Sequence, residues 1–162
     1  MSKRIILNSA MRKILASKFQ RIRVLPREKH IANEIDMFFK KMNMYEKYEQ
    51  KCFSAKNIFE SDVCTQTGKF SVVDWEWETN EIYLDKSLIK RNYRKSIILS
   101  SDIIEKTLKE RFQGNLFVIS FCVQFGKFRN ISIRICQDSD FPVLDENLEK
   151  YSQPIMQIYL RT

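Results

Sequence analysis

Five carboxylates lie within twelve residues of one another, and they are the side chains best spaced to hold a catalytic metal. They belong to the stretch DWEWETNEIYLD and are Asp74, Glu76, Glu78, Glu81 and Asp85. A metal-dependent nuclease uses carboxylates on adjacent strands as ligands, usually with a lysine nearby in a strand-borne E-x-K. The only E-x-K is Glu49-Gln50-Lys51, at the end of a predicted helix. We therefore interpret the carboxylates as a solvated strand face and expect no catalytic residue and no bound metal.

Nucleophilic catalysis of the Ser-His-Asp or Cys-His type requires a histidine as base, and His30 is the only histidine in the chain. Because His30 follows Lys29 in a basic segment, we expect it to face solvent near the start of a helix. The general acid of a ribonuclease is the alternative role. Neither glycine-rich phosphate-binding pattern, G-x-x-x-x-G-K-[ST] or G-x-G-x-x-G, occurs. These absences together disfavour an ordinary enzyme, and we expect no cofactor.

The cysteines are Cys52, Cys64, Cys122 and Cys136, and they include no C-x-x-C pair. His30 also has no cysteine at the spacing of a zinc finger. We expect four reduced and mostly buried thiols. A metal site or a disulfide framework is the alternative.

Positive charge is concentrated at the N-terminus. The net charge is +8, and residues 1–30 contain nine lysines and arginines against the single acid Glu28. The predicted phosphate contacts in this arm are Arg12, Lys13, Lys18, Arg21 and Arg23, with a second basic cluster in residues 86–95. Several such contacts give strongly salt-dependent affinity. RNA or DNA binding through the basic N-terminal helix is therefore one hypothesis, and a merely solvated helix face is the alternative.

An acidic and aromatic stretch offers a different surface. If residues 70–84 form a β-hairpin, Val73, Trp75 and Trp77 share one face and the neighbouring carboxylates share the other. Tryptophan is typical of binding hot spots, and a row of carboxylates suits a basic partner. The predicted partner-binding residues are Asp74, Glu76, Trp77, Glu78 and Glu81.

The element that organises the fold is a predicted β-hairpin over Leu116–Cys136, LFVISFCVQFGKFRNISIRIC. It consists of two runs of β-branched and aromatic residues joined at Gly126. A two-residue loop would place Phe121 opposite Ser132, whereas a three-residue loop over residues 126–128 places Phe121 opposite Ile133 and Ile119 opposite Ile135. We favour the three-residue loop because it keeps one face of the hairpin apolar.

Further elements follow from periodicity. Helices are predicted over Ser9–Ile22 with Asn8 or Ser9 as N-cap, over Glu28–Gln50, and from Ser101 to Phe112 with Gly114 closing the last turn. Strands are predicted at residues 70–77, 81–84, 97–99 and 154–161, with a short helix near Asp145–Tyr151. The predicted fold is α+β: two N-terminal helices pack on a mostly antiparallel sheet of about five or six strands, with one further helix before the central hairpin.

At 162 residues we expect a single domain over 1–162, which includes the basic arm 1–30. No apolar run approaches the roughly 20 residues that span a bilayer. The N-terminus lacks the long apolar segment of a secretion signal, so we expect it to be part of the folded protein and the location to be cytoplasmic.

The chain resembles in type the immunity proteins of bacterial contact-dependent inhibition and other polymorphic toxin systems. The likeness rests on the order of helices and then sheet and on FSVVDWEWETNEIYL and NLFVISFCVQF. It implies an antitoxin without catalytic apparatus that binds a cognate toxin domain. Our first hypothesis is therefore a non-enzymatic immunity protein that blocks the active site or substrate surface of a toxin, expected to be a nuclease. RNA or DNA binding is the alternative.

Overall fold

The structure, a computed structural model, describes residues 3–16, 25–47, 50–57, 59, 72–137, 144 and 147–162. Its strands are β1 (Lys3–Leu7), β2 (Asn43–Lys47), β3 (Gln50–Ser54), β4 (Glu81–Asp85), β5 (Leu116–Gln124), β6 (Asn130–Gln137) and β7 (Ile155–Arg161). Its α-helices are α1 (Ser9–Ala16), α2 (Glu28–Lys41), α3 (Val72–Thr79), α4 (Lys86–Ile89) and α5 (Tyr93–Arg111). Short 3-10 turns occupy Gly126–Phe128 and Leu148–Lys150. The predicted α+β class is confirmed.

The main sheet has five strands in the order β1-β7-β5-β6-β4, and every neighbouring pair is antiparallel. Strands β2 and β3 form a separate antiparallel hairpin. The main sheet confirms the mostly antiparallel sheet of about five or six strands. Its centre is β5, which pairs with β6 on one side and β7 on the other.

The predicted register of the central hairpin is confirmed. Phe121 pairs with Ile133 and Ile119 pairs with Ile135 across β5 and β6. The turn begins at Gly126, whose φ of +86° lies in the left-handed region that favours glycine. A slip of one residue would turn the apolar row away from the helices, so burial of that row selects the register.

Helices α1, α2 and α5 cover one face of the sheet and share a single apolar core with it. The phenylalanines at its centre make edge contacts: the ring of Phe53 in β3 lies 5.0 Å from that of Phe112 and 5.2 Å from that of Phe117. Phe39 of α2 packs against the same group, at 6.3 Å from Phe53. These contacts attach the β2–β3 hairpin to the main core.

The prediction of one helix over Glu28–Gln50 is wrong in its second half. Helix α2 ends at Lys41, and Met42 is already extended (φ −84°, ψ 136°). Tyr45, which continues the helical stripe, belongs instead to β2 and pairs with Cys52 of β3, next to the pair of Met44 with Phe53. Tertiary pairing with β3 decides the conformation here, because such residues are also compatible with a strand.

Two predicted strands are helical. Residues 72–77 belong to α3 and residues 97–99 to α5, in which Ile97, Ile104 and Leu108 are buried at helical spacing. In runs this short, the spacing of the apolar residues fits both a helix and a strand. Packing then selects the helix. Strands β1, β2 and β3 were not predicted.

Of the first predicted helix, the structure describes Ser9–Ala16 as α1, and residues 17–22 lie outside the described residues. Asn8 is its N-cap, as one of the two proposed residues, because the Asn8 side chain accepts a hydrogen bond from the N–H of Met11 at 2.9 Å. The short helix expected near Asp145–Tyr151 appears as the 3-10 turn Leu148–Lys150. None of the helices in the described ranges combines the length and apolar character needed to cross a membrane.

Candidate functional site

Glu76, predicted on an exposed acidic face, is completely buried (0% exposed). Its carboxylate accepts hydrogen bonds from the backbone N–H of Phe53 at 2.5 Å and of Gln137 at 2.6 Å, and from the side-chain amide of Gln137 at 2.8 Å. Burial raises the pKa of Glu76 from 4.5 to about 7, although these hydrogen bonds oppose the shift. Glu76 therefore joins α3 to β3 and β6 and cannot contact a partner.

Among the other predicted partner-binding residues, Trp77 and Glu81 are brought together by Arg134. The guanidinium of Arg134 lies 5.0 Å from the ring centre of Trp77 and within 3.6 Å of the Glu81 carboxylate, which also accepts a hydrogen bond from Ser132. Glu78 is exposed, and the side chain of Asp74 lies outside the described part of the chain. The predicted row of carboxylates is wrong because α3 is a helix, in which alternate residues do not point the same way.

Trp77 and Glu81 help to line a cavity of about 260 Å³ on the sheet face opposite α1, α2 and α5. Tyr83 stands at its edge with 52% of its surface exposed. Cys122 lies within it, and burial raises the pKa of this thiol, which keeps it protonated. Cys52 and Cys136 are buried, as expected, and Cys122 is half-buried, while Cys64 lies outside the described residues.

The second candidate surface is the turn between β5 and β6, where two phenylalanines face solvent. Phe125 is 57% exposed and Phe128 is 72% exposed. The ammonium of Lys127 lies 5.6 Å from the ring centre of Phe128, and the ring of Phe125 makes an edge contact with Tyr93 at 5.2 Å. Strand pairing ends at Gln124, so neither phenylalanine is drawn into the core.

Two arginines approach the same place from different elements. Arg91 precedes α5, Arg129 follows the turn, and both charges act on the phenol of Tyr93. Burial raises the pKa of Tyr93, and the two arginines oppose that change. Lys90 and Arg91 have positive φ angles of 45° and 64°, a conformation that costs of the order of 1 kcal/mol each in residues other than glycine. The α4–α5 connection thus holds Arg91 next to the hairpin turn.

A groove of about 890 Å³ separates the hairpin turn from α1. Lys13, Phe125 and Phe128 line it, with Glu149 on the α1 side. Glu149 accepts hydrogen bonds from the N–H and hydroxyl of Ser9, which together with the charge of Arg12 lower its pKa. The hairpin side of the groove is therefore aromatic, and its α1 side carries both the cation of Lys13 and the ionised carboxylate of Glu149.

The predicted nucleic-acid residues are only partly placed. Lys13 lines the groove, whereas Arg12 donates a hydrogen bond to the backbone oxygen of Leu7 and lies 3.8 Å from Glu149. Lys18, Arg21 and Arg23 lie outside the described residues. We call the following set the basic-aromatic end: Lys13, Arg91, Phe125, Lys127, Phe128 and Arg129. Sequence reasoning missed its hairpin half, although the alternation of glycine, basic and aromatic residues in GKFR was a visible signal.

Comparison of the chain with protein-family models finds no match, and neither curated proteins nor solved structures give a significant one. Within the described ranges, no three or more His, Cys, Asp or Glu side chains are grouped so that they could hold a metal ion. His30 lies in the first turn of α2 and is exposed, as predicted.

Proposed function

We propose that the protein binds nucleic acid through the basic-aromatic end. The observation that carries this proposal is the pair of exposed phenylalanines, Phe125 and Phe128, held among lysines and arginines from three parts of the chain. Lysine and arginine neutralise phosphates, and an exposed aromatic ring stacks on any base. An exposed phenylalanine leaves its hydration cost unrecovered in the free protein, and a stacked base would recover it.

The charges of this end are free to meet phosphates. Among the described residues, Lys13, Arg91 and Lys127 form no ion pair, whereas Lys40, Lys95 and Lys106 each pair with a carboxylate. The Nε atom of Arg129 is buried and has no hydrogen-bond partner among the described residues. Buried polar atoms are normally satisfied, so a group that supplies an acceptor near Arg129 would stabilise this end.

The test is binding of a fluorescent oligonucleotide, measured by anisotropy at several salt concentrations. The variant Lys127→Gln/Arg129→Gln removes two charges from the turn, and Lys40→Gln/Lys106→Gln removes two charges elsewhere as a matched control. We expect the slope of log affinity against log salt to fall by about 1.4 for a single strand or about 1.8 for a duplex in the first variant only. Absence of binding at low salt, or equal slopes in both variants, would refute the proposal.

Inhibition of a toxin domain, as an immunity protein does, is the second candidate function. The observation that favours it is the aromatic cavity on the open sheet face, where Tyr83 is exposed and Trp77 lies beside it. Aromatic residues at a concave surface are typical anchors for a protein partner. Because Glu76 is internal, this contact would use Trp77, Tyr83 and Glu81, which line the cavity, in place of the predicted acidic row.

A tagged pull-down from the native cell at high salt separates the two functions. A stoichiometric protein that is retained by the wild type and by Met37→Ala but lost from Tyr83→Ala would support the inhibitor. Met37 is the matched control because it is a similarly exposed apolar side chain on α2. Recovery of nucleic acid at low salt only, with no protein partner, would refute the inhibitor and favour the first proposal.

A further inference from the structure

We infer that the ligand of the basic-aromatic end is single-stranded, with unpaired bases stacked on Phe128 and Phe125 and the phosphates on Lys127 and the neighbouring arginines. This inference rests on the proposed nucleic-acid function. The shared chemistry is an unpaired base on a phosphodiester backbone, which RNA and DNA both supply.

The first argument for a single-stranded ligand is the exposure of the aromatic rings. Phe128 presents most of its surface to solvent at the tip of the turn, and its ring lies next to the Lys127 ammonium. The faces of paired bases in a duplex are covered by their neighbours, whereas a single strand offers them freely. Stacking on Phe128 would place the adjacent phosphate near Lys127.

The second argument is the groove, which provides an apolar space next to the charged residues. Its walls include Ile14, Val123 and Pro154 in addition to the two phenylalanines, and its volume of about 890 Å³ lies within the roughly 300–1,000 Å³ of small-molecule sites. A base can enter such a space, which a base in a duplex reaches only after it leaves its stack.

The third argument is the distribution of charge around the groove, which favours phosphates on the side away from Glu149. The ionised carboxylate of Glu149 lies on the α1 side of the groove and disfavours phosphates close to it, although Arg12 at 3.8 Å and Lys13 of α1 offset part of its charge. Arg91 and Arg129 lie on the hairpin side, close to Tyr93. A single strand can place its bases toward the groove and its phosphates toward the arginines. A duplex cannot, because it presents a phosphate backbone on both of its sides.

The experiment measures anisotropy with labelled oligo-dT, oligo-U and a DNA duplex, each of about 12 nucleotides or base pairs, within the roughly 4–16 nucleotides covered by one single-strand-binding domain. The protein is the full chain, compared with Phe128→Ala, Phe128→Leu and the exposed-site control Ile98→Ala. Because Phe128 and Ile98 are both exposed, these variants are expected to fold.

We expect both single strands to bind more tightly than the duplex. Phe128→Ala should weaken single-strand binding about tenfold, in keeping with the roughly 1–3 kcal/mol of one stacked base, and leave the salt slope unchanged. Phe128→Leu should weaken it nearly as much, because leucine keeps the apolar bulk without the ring, and Ile98→Ala should have no effect. The single strand that binds more tightly identifies RNA or DNA as the source.

Two outcomes separate this inference from the function on which it rests. Duplex binding as tight as single-strand binding, unaffected by Phe128→Ala but weakened by Lys127→Gln/Arg129→Gln, would overturn the inference and leave the proposed function standing. Absence of binding to all three oligonucleotides at low salt would overturn both.

Discussion

Replacement of Glu76 by glutamine should abolish a large pH dependence of stability. Glu76 is fully buried, and burial raises its pKa from 4.5 to about 7. At 1.36 kcal/mol per pKa unit, the difference corresponds to about 3 kcal/mol between the protonated and ionised forms of the folded protein. Ionised Glu76 thus opposes folding although three N–H groups donate to it.

The direction in which stability changes with pH follows from proton binding to Glu76. Between pH 4.5 and about 7 the folded state holds a proton on Glu76 that the unfolded state has released, so stability falls as the pH rises through this window. Below the window both states are protonated, and above it both are ionised, so this group adds no further change. Between about pH 5 and about pH 8 the expected loss is about 2.5 kcal/mol.

The assay is urea unfolding of the wild type, Glu76→Gln and Glu78→Gln over that pH range. Glu78 lies on the same helix but is exposed, so Glu78→Gln should keep the wild-type pH dependence. Glu76→Gln should lack the loss of about 2.5 kcal/mol, whatever constant offset results from a changed hydrogen bond to Gln137. Equal pH dependence in Glu76→Gln and the wild type would refute the reasoning.

Two further substitutions test buried polar groups by urea unfolding at neutral pH. Asn8→Ala should lower the free energy of unfolding by about 3 kcal/mol. The side chain of Asn8 accepts hydrogen bonds from the N–H groups of Met11 at 2.9 Å and Ile155 at 3.0 Å, and both would be left without this partner. A loss below about 1 kcal/mol would contradict this. Tyr93→Phe should stabilise the protein by about 1 kcal/mol, since the buried Tyr93 hydroxyl has no hydrogen-bond partner among the described residues and the ring contact with Phe125 is kept. A destabilised Tyr93→Phe would show that this hydroxyl is satisfied.

The central hairpin was predictable because its information is local. Alternation along β5 and β6, with one glycine between them, allows few registers, and only one of them pairs Phe121 with Ile133. The end of α2 was not predictable in the same way. Met44 enters a strand because Phe53 lies opposite it, and that partner is nine residues further along the chain, in a segment with no periodicity of its own.

In the candidate site, too, features that depend on local sequence were predictable, and features that depend on distant contacts were not. The basic residues of the N-terminal arm could be identified by composition, and Lys13 does line the groove. The role of Glu76 could not, because it depends on the meeting of α3 with β3 and β6, and a carboxylate beside tryptophan in a short alternating run is equally compatible with an exposed strand position. Exposure of Phe125 and Phe128 depends on where strand pairing stops, at Gln124.

The pairing of β1 with β7 has a consequence for how the chain folds. Lys3 pairs with Leu160 and Leu7 with Met156. Strand β1, which is synthesised early, can therefore pair only after β7 has been synthesised. The centre of the sheet is completed late as well, since β5 has β7 as its second neighbour. Contacts between residues so distant in sequence slow folding. During synthesis one edge of β5 is therefore without its final pairing partner, and the native state is expected to form only after β7 has been synthesised.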